Sequence, residues 1–346
     1  VKEFVKPYLQ KLQAKPKHRQ YETYLWADYI ELLCLANIDG EMTKSDIIDR
    51  LSERERDLQE GDTADIDEVM NMEKEEYEKP SRRSEISDLW EVRVADWFNI
   101  LNLRESLYQS NYPFIITEHE IKRKNSQLNP SQKIYVYLLC CSNLYLFDKA
   151  LQVSLANCFE LLSYNSFKNI LPNDAEIHLF GSNPLNKEGR YSKIPLLNKI
   201  NKLSADLNEI LDPRLNQSNY TSIKGGDGGL DLVAWVPTGD NLPSSLIFFA
   251  QCACTDEWVS KQHDSSHESW EGRILFKNRI SNSIFIPFCF RRGDGTWAKI
   301  EDIKLSFLVD RKRLLHYYLK NESISFDTLP ASQIIDEIAN AREDVV

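Results

Sequence analysis

Lys224-Gly225-Gly226-Asp227-Gly228-Gly229-Leu230-Asp231-Leu232-Val233-Ala234-Trp235, followed after one turn by Leu246-Ile247-Phe248-Phe249-Ala250-Gln251-Cys252-Ala253-Cys254, is the stretch that decides the fold. Its four glycines free the backbone to bend sharply and to approach a ligand closely. The run from Leu230 to Trp235 is short and apolar with one charge, and Pro237-Thr238-Gly239-Asp240 closes it, which reads as a strand and a turn. Leu246 to Cys254 reads as the next strand, joined to the first in a hairpin. Asp231, Val233 and Trp235 share one pleated face, as do Phe249, Gln251 and Ala253, so Asp231 and Gln251 are expected to converge.

Downstream, Asp256 to Arg279 is polar and compatible with a helix, and Ser283-Ile284-Phe285-Ile286-Pro287-Phe288 reads as a buried third strand. Strand, helix and strand in that order predict a right-handed parallel crossover. Ile303, Leu305, Phe307 and Val309 alternate as one more strand, and Arg311 to Lys320 reads as a closing helix. Upstream the period changes. Leu25, Tyr29, Leu32, Leu33 and Ala36 recur at helical spacing, as do Trp90, Val94, Trp97 and Leu101, and no strand pattern competes before about residue 170. Asp39 to Ile48 reads as a turn and N-cap between helices. Gly, Asn and Pro around Phe180-Gly181 suggest a boundary ahead of an amphipathic helix over Ile194–Leu211. The expected organisation is a helical domain over 1–150 with an acidic linker at about 61–80, then an α/β domain over 151–346.

Composition bounds the function. The 346 residues are 42% hydrophobic and 27% charged, an ordinary globular balance. The longest apolar runs fall far short of the roughly 20 residues that span a bilayer, so no membrane partner is expected. The N-terminus lacks the pattern of a secretory signal, and the seven scattered cysteines suit reduced thiols, which together point to a cytoplasmic protein. The net charge of −11 argues at first against a polyanion partner. Residues 41–80, however, hold fifteen acids against six bases, so the rest of the chain is close to neutral. No phosphate-binding loop, nucleophile elbow or dinucleotide fingerprint is present.

Two oxygen ligands, Asp231 and Gln251, with main-chain carbonyls suit a hard cation, Mg²⁺ or Mn²⁺, that could hold a phosphodiester oxygen. Cys252, next along the strand, is counted with them as a candidate ligand. The segment Gly225–Leu232 and the strand ending Gln251-Cys252-Ala253 resemble the core of the PD-(D/E)XK, or restriction-endonuclease-like, nuclease superfamily over roughly residues 150–295. In that superfamily an Asp opens one strand, a Glu or Gln followed two residues later by Lys ends the next, and a preceding helix often carries a Glu. The resemblance implies a central mixed sheet flanked by helices, DNA as partner and Mg²⁺ or Mn²⁺ as cofactor. It assigns Asp231 and Gln251 to metal binding and puts Ala253 where the catalytic lysine would stand. Lys261 on the following segment, or Lys224 at the lip of the glycine loop, is the candidate replacement, and Glu160, Asp206 and Glu209 are the candidate helix carboxylates.

Lys224, Arg273, Lys277, Arg291 and Arg292 are the candidate DNA contacts, with a solvated helix face and an ordinary turn as the plainer reading. The acidic helical half would dock a partner protein or restrain the nuclease, and a homo-oligomer is left open. Two other function classes compete. One is an inactive nuclease fold that only binds DNA or scaffolds a complex. The other is a zinc-stabilised interaction protein using Cys252, Cys254, His263 and His267.

Overall fold

The computed structural model describes residues 2–13, 22–59, 82–215, 226, 228–321 and 325–343. Lys224 and the acidic linker at 61–80 lie outside the described residues. The chain divides into two compact units: 1–128 with 291–296 and 337–346, and 129–290 with 297–336.

In the first unit α1 (Val5–Gln13) is followed by α2 (Thr23–Ala36), which is apolar almost all round and buried from Tyr24 to Ala36. Such a helix has to be wrapped by its neighbours. After the turn at Asn37–Gly40 come β1 (Glu41–Thr43) and α3 (Lys44–Gln59). The expected N-cap is present: Asp46 N–H donates to Thr43 Oγ1 at 3.1 Å and Thr43 N–H to Asp46 Oδ2 at 2.8 Å. The long helix α4 (Arg82–Tyr108) lays Trp97 on Trp26, stacked at 4.5 Å, and brings Arg104 to the two buried acids of α2. Arg104 Nη1 lies 2.7 Å from Asp28 and 2.9 Å from Glu31, all three side chains fully buried. The expectation of helices alone is corrected here. β2 (Phe114–Ile116) and β3 (Glu120–Arg123) join β1 in an antiparallel sheet of order β1-β3-β2. Strands of three or four residues are too short to print a period of two.

The second unit begins with α5 (Pro130–Cys141), whose start is fixed by a capping box between Asn129 and Gln132. It packs in this unit rather than before a boundary at 150: Tyr137 O–H donates to Leu155 O at 2.8 Å, and its ring meets Phe326 at 5.1 Å. Next come α6 (Lys149–Ile170), capped by Asp148, β4 (Glu176–Leu179) and α7 (Leu196–Asp206). α7 ends short of the expected Leu211 because Asn208 turns left-handed at φ 55°, and β5 (Ile210–Leu211) follows. β6 (Leu232–Val236) and β7 (Leu246–Cys252) form the expected antiparallel hairpin.

The segment expected to be one helix holds two four-residue helices, α8 (Trp258–Lys261) and α9 (His267–Trp270), and a short strand, β8 (Ile274–Leu275), paired with β5. Its many polar side chains bond locally, as Ser266 does in capping α9, and this breaks the run. β9 (Ser281–Phe285) then lies parallel to β7, as the crossover predicts. β10 (Phe307–Val309) is shorter than its alternation suggests, since Leu305 is left-handed at φ 52° and exposed. α10 (Arg311–Tyr318) and α11 (Pro330–Asn340) follow.

The result is a mixed α/β unit around a five-stranded mixed sheet of order β10-β9-β7-β6-β4. The expected boundary at Phe180-Gly181 is also corrected, because β4 pairs with β6 and Phe180 N–H donates to Asp231 O at 2.7 Å. Val233, Trp235, Ile247 and Phe249 pack with Leu196, Ile200 and Leu203 of α7 and with Trp270. The other face meets α6, where Phe167 contacts Phe285 of β9 at 5.5 Å. Among the described residues no helix is long and apolar enough to cross a membrane.

Candidate functional site

The hairpin register ends with Leu232 opposite Ala250, and Asp231 and Gln251 are the residues next to that last pair. Asp231 is held on three sides. Its N–H donates to Ala250 O at 3.1 Å, its carbonyl accepts from Phe180, and its Oδ2 accepts from Cys252 N–H at 2.7 Å. A backbone amide on one carboxylate oxygen fixes the side chain across the end of β7. Gln251 is only 8% exposed, and its Oε1 is buried with no hydrogen-bond partner. Leaving an amide oxygen unpaired in the interior costs roughly 1–3 kcal/mol, which makes this atom the anomaly of the site.

Glu160 approaches from α6. Asn183, in the turn after β4, donates to Glu160 Oε2 and to Asn157 O, both at 2.9 Å. Cys252 reports on this gathering of charge. Burial pushes its thiol well above the usual range, the charges of Asp231 and Glu160 push it further, and the Ser163 hydroxyl and the Lys261 ammonium oppose them. Glu160, Asp231, Cys252 and Lys261 therefore share one electrostatic neighbourhood. The oxygen donors of the expected set are Asp231 and Glu160, whose charges both act on Cys252, and the orphaned Gln251 Oε1, which alternation along β7 places on the Phe249 face and not the Cys252 face. This set fits a hard divalent cation by its chemistry. Among the described residues no three His, Cys, Asp or Glu side chains are grouped to hold an ion.

The three helix acids now separate. Asp206 is taken by Arg190 and by Tyr191 O–H at 2.6 Å. Glu209 accepts from Ser244 N–H at 3.0 Å and Lys277 N–H at 3.3 Å at the far end of the hairpin. Only Glu160 acts on the same thiol as Asp231. Ala253, at the position the resemblance gives to lysine, lies just past the end of β7, is 1% exposed, and its N–H donates to Phe285 O. Lys261 sits half-buried on α8.

The expected basic contacts are dispersed. Arg273 stacks on Trp270 at 4.4 Å and donates to Gly228 O at 2.9 Å, which braces the glycine loop. It lies in the turn after α9, not in a helix, and Lys277 lies beyond β8. Arg291 and Arg292 belong to the first unit, where Arg292 lines an open cleft with Asp96, Asn99 and Asn102. The zinc set does not assemble: Cys254 hydrogen-bonds Cys141 of α5, while the His267 ring packs on Phe276 at 5.8 Å.

Ser163, Asn183 and Lys199 were missed by sequence reasoning. For Lys199 a signal existed, because it falls on the apolar stripe Leu196, Ile200, Leu203 of α7, where a charge is out of place. Comparison with protein-family models, with characterised proteins and with solved structures returned no match.

Proposed function

We propose that the chain is a metal-dependent DNA endonuclease of the PD-(D/E)XK type, serving restriction, anti-phage defence or repair. The observation that carries the reading is the buried, unpartnered Oε1 of Gln251 near the end of β7, where the Asp231 carboxylate accepts the Cys252 N–H. Support comes also from the matching order of parts: a helix acid at Glu160, a strand-opening Asp231, a strand-ending Gln251, and a mixed sheet between helices.

Asp231, Gln251 and Glu160 would hold Mg²⁺ or Mn²⁺, which when bound polarises a phosphoryl oxygen and acidifies a water. The chain's own residues do the rest. Asp231 is oriented by Cys252 N–H, and Glu160 by Asn183 Nδ2, so neither carboxylate has to be ordered when substrate arrives. Lys261 orients the attacking water and offsets charge developing on the phosphate. DNA is the proposed partner, and the acidic first unit is proposed to dock a protein or to hold the nuclease off DNA by like-charge repulsion.

A second reading, an inactive nuclease fold that binds DNA or scaffolds a complex, is favoured by one observation: a buried Ala253, its N–H bonded to Phe285 O, stands where the lysine would. Plasmid, linear duplex and single strands incubated with wild type and Asp231→Ala in Mg²⁺, Mn²⁺ or EDTA decide between them. Cutting by wild type alone, dependent on metal, is expected. Cutting by Asp231→Ala at the wild-type rate would remove the assignment, and DNA binding with no cutting by either protein would favour the second reading.

A further inference from the structure

Lys199 is fully buried, on the apolar face of α7 and one turn from its start. Each part of that placement is unfavourable. An ammonium loses its hydration in the interior, and a cation near a helix N-terminus meets the positive end of the dipole. A leucine would suit the stripe of Leu196, Ile200 and Leu203 better.

Lys199 reaches one short turn. Its Nζ donates to Phe180 O at 2.8 Å and to Ser182 Oγ at 3.3 Å. That turn, Phe180-Gly181-Ser182-Asn183, joins the two carboxylates of the site. Phe180 N–H donates to Asp231 O at 2.7 Å, and Asn183 Nδ2 donates to Glu160 Oε2 at 2.9 Å. One buried cation thus braces the backbone linking Asp231, at the start of β6, to Glu160, on α6.

We infer that Lys199 is the positioning residue of this site, fixing the Phe180–Asn183 turn so that Glu160 and Asp231 are presented together to a divalent cation. The inference rests on the proposed metal-dependent reading and deepens it. Lys199 acts through the turn, and its role differs from that of Lys261, which stands half-exposed on another element.

The test compares wild type, Lys199→Met and Lys199→Arg for Mn²⁺ binding by electron paramagnetic resonance and for plasmid cleavage, with thermal melts on the same samples. Lys199→Met keeps the volume and loses the donor. It is expected to bind Mn²⁺ roughly 10- to 100-fold more weakly and to lower kcat by a similar factor with KM for DNA unchanged. Lys199→Arg, which keeps charge and donors, is expected to recover part of both losses. Wild-type affinity and kcat in Lys199→Met would overturn the inference alone, and so would loss in Lys199→Arg equal to that in Lys199→Met. Wild type that neither binds Mn²⁺ nor cuts would overturn the metal-dependent reading and this inference with it. Should Lys199→Met fail to melt cooperatively, Ser182→Ala decides. A several-fold loss of Mn²⁺ affinity there supports the brace, and unchanged affinity refutes it.

Discussion

Replacing Gln251 by leucine separates stability from function at a buried amide oxygen that has no hydrogen-bond partner. Gln251 Oε1 is buried without a partner, while the residue as a whole is 8% exposed. An unpaired amide oxygen in the interior destabilises by roughly 1–3 kcal/mol, and leucine has nearly the same shape without the polar atom. Gln251→Leu is therefore expected to stabilise the second unit by about 1 kcal/mol, a rise of roughly 2–4 °C in Tm for a unit of this size. A divalent cation reverses the order. Saturating Mn²⁺ at about a hundred times its Kd adds about 2.7 kcal/mol to any protein that binds it only when folded. Wild type should then gain roughly 5–10 °C, and Gln251→Leu, lacking the oxygen, much less. The assay is a pair of melts for each protein, with Mn²⁺ and with EDTA. A Gln251→Leu protein that is less stable than wild type by more than about 1 kcal/mol in EDTA would show that the oxygen has a structural partner. Equal gains with Mn²⁺ would show that Gln251 is no ligand.

Three further outcomes follow from particular contacts. Gly229 sits at φ +80°, and a Cβ there would lie 2.5 Å from Asp264 Cβ, so Gly229→Ala should lower stability in urea by about 2–4 kcal/mol through strain and clash. Arg104→Met leaves Asp28 and Glu31 as uncompensated buried acids and should lose about 3–5 kcal/mol, read by circular dichroism during denaturation. Burial holds His178 below the usual imidazole value, against the opposing pull of Glu176. A histidine whose folded pKa lies below its unfolded value of about 6.5 stabilises fully above that pH and loses the contribution as pH falls through the folded value. Urea melts at about pH 7.5 and about pH 5.5 should show wild type weakening on acidification and His178→Phe weakening less.

The hairpin and the parallel crossover were legible because they depend on neighbours in sequence and on a period of two. The same rule failed for β1, β2 and β3, whose three or four residues cannot display a period, and for Leu305, whose left-handed backbone breaks an alternation that continues in the letters. The helix acid could not be chosen from spacing. Asp206 and Glu209 are nearer Asp231 in sequence, yet Arg190 and Tyr191 consume the first and the amides of Ser244 and Lys277 the second. The proposal of Glu160 draws on the pairing of β4 with β6, after which Asn183 donates to Glu160 on α6. Lys199 shows the limit from the other side. Its misfit on an apolar stripe was readable, but the turn it braces exists only once β4 lies beside β6.

The two ends of the β6–β7 hairpin make the functional argument by contrast. Each end holds a buried acid against backbone amides, because strand ends leave N–H groups without ladder partners. At the turn end Glu209 receives the N–H groups of Ser244 and Lys277, and the buried Ser245 Oγ, next along the chain from Ser244, has no hydrogen-bond partner. That carboxylate is a cap. At the other end Asp231 receives the Cys252 N–H, but beside it stand a second carboxylate felt by the same thiol, an amide oxygen with no partner, and a turn braced by a buried ammonium. Closing a strand end requires only the first of these. A second carboxylate is more than a cap needs, and the proposed divalent cation would take both carboxylates as ligands.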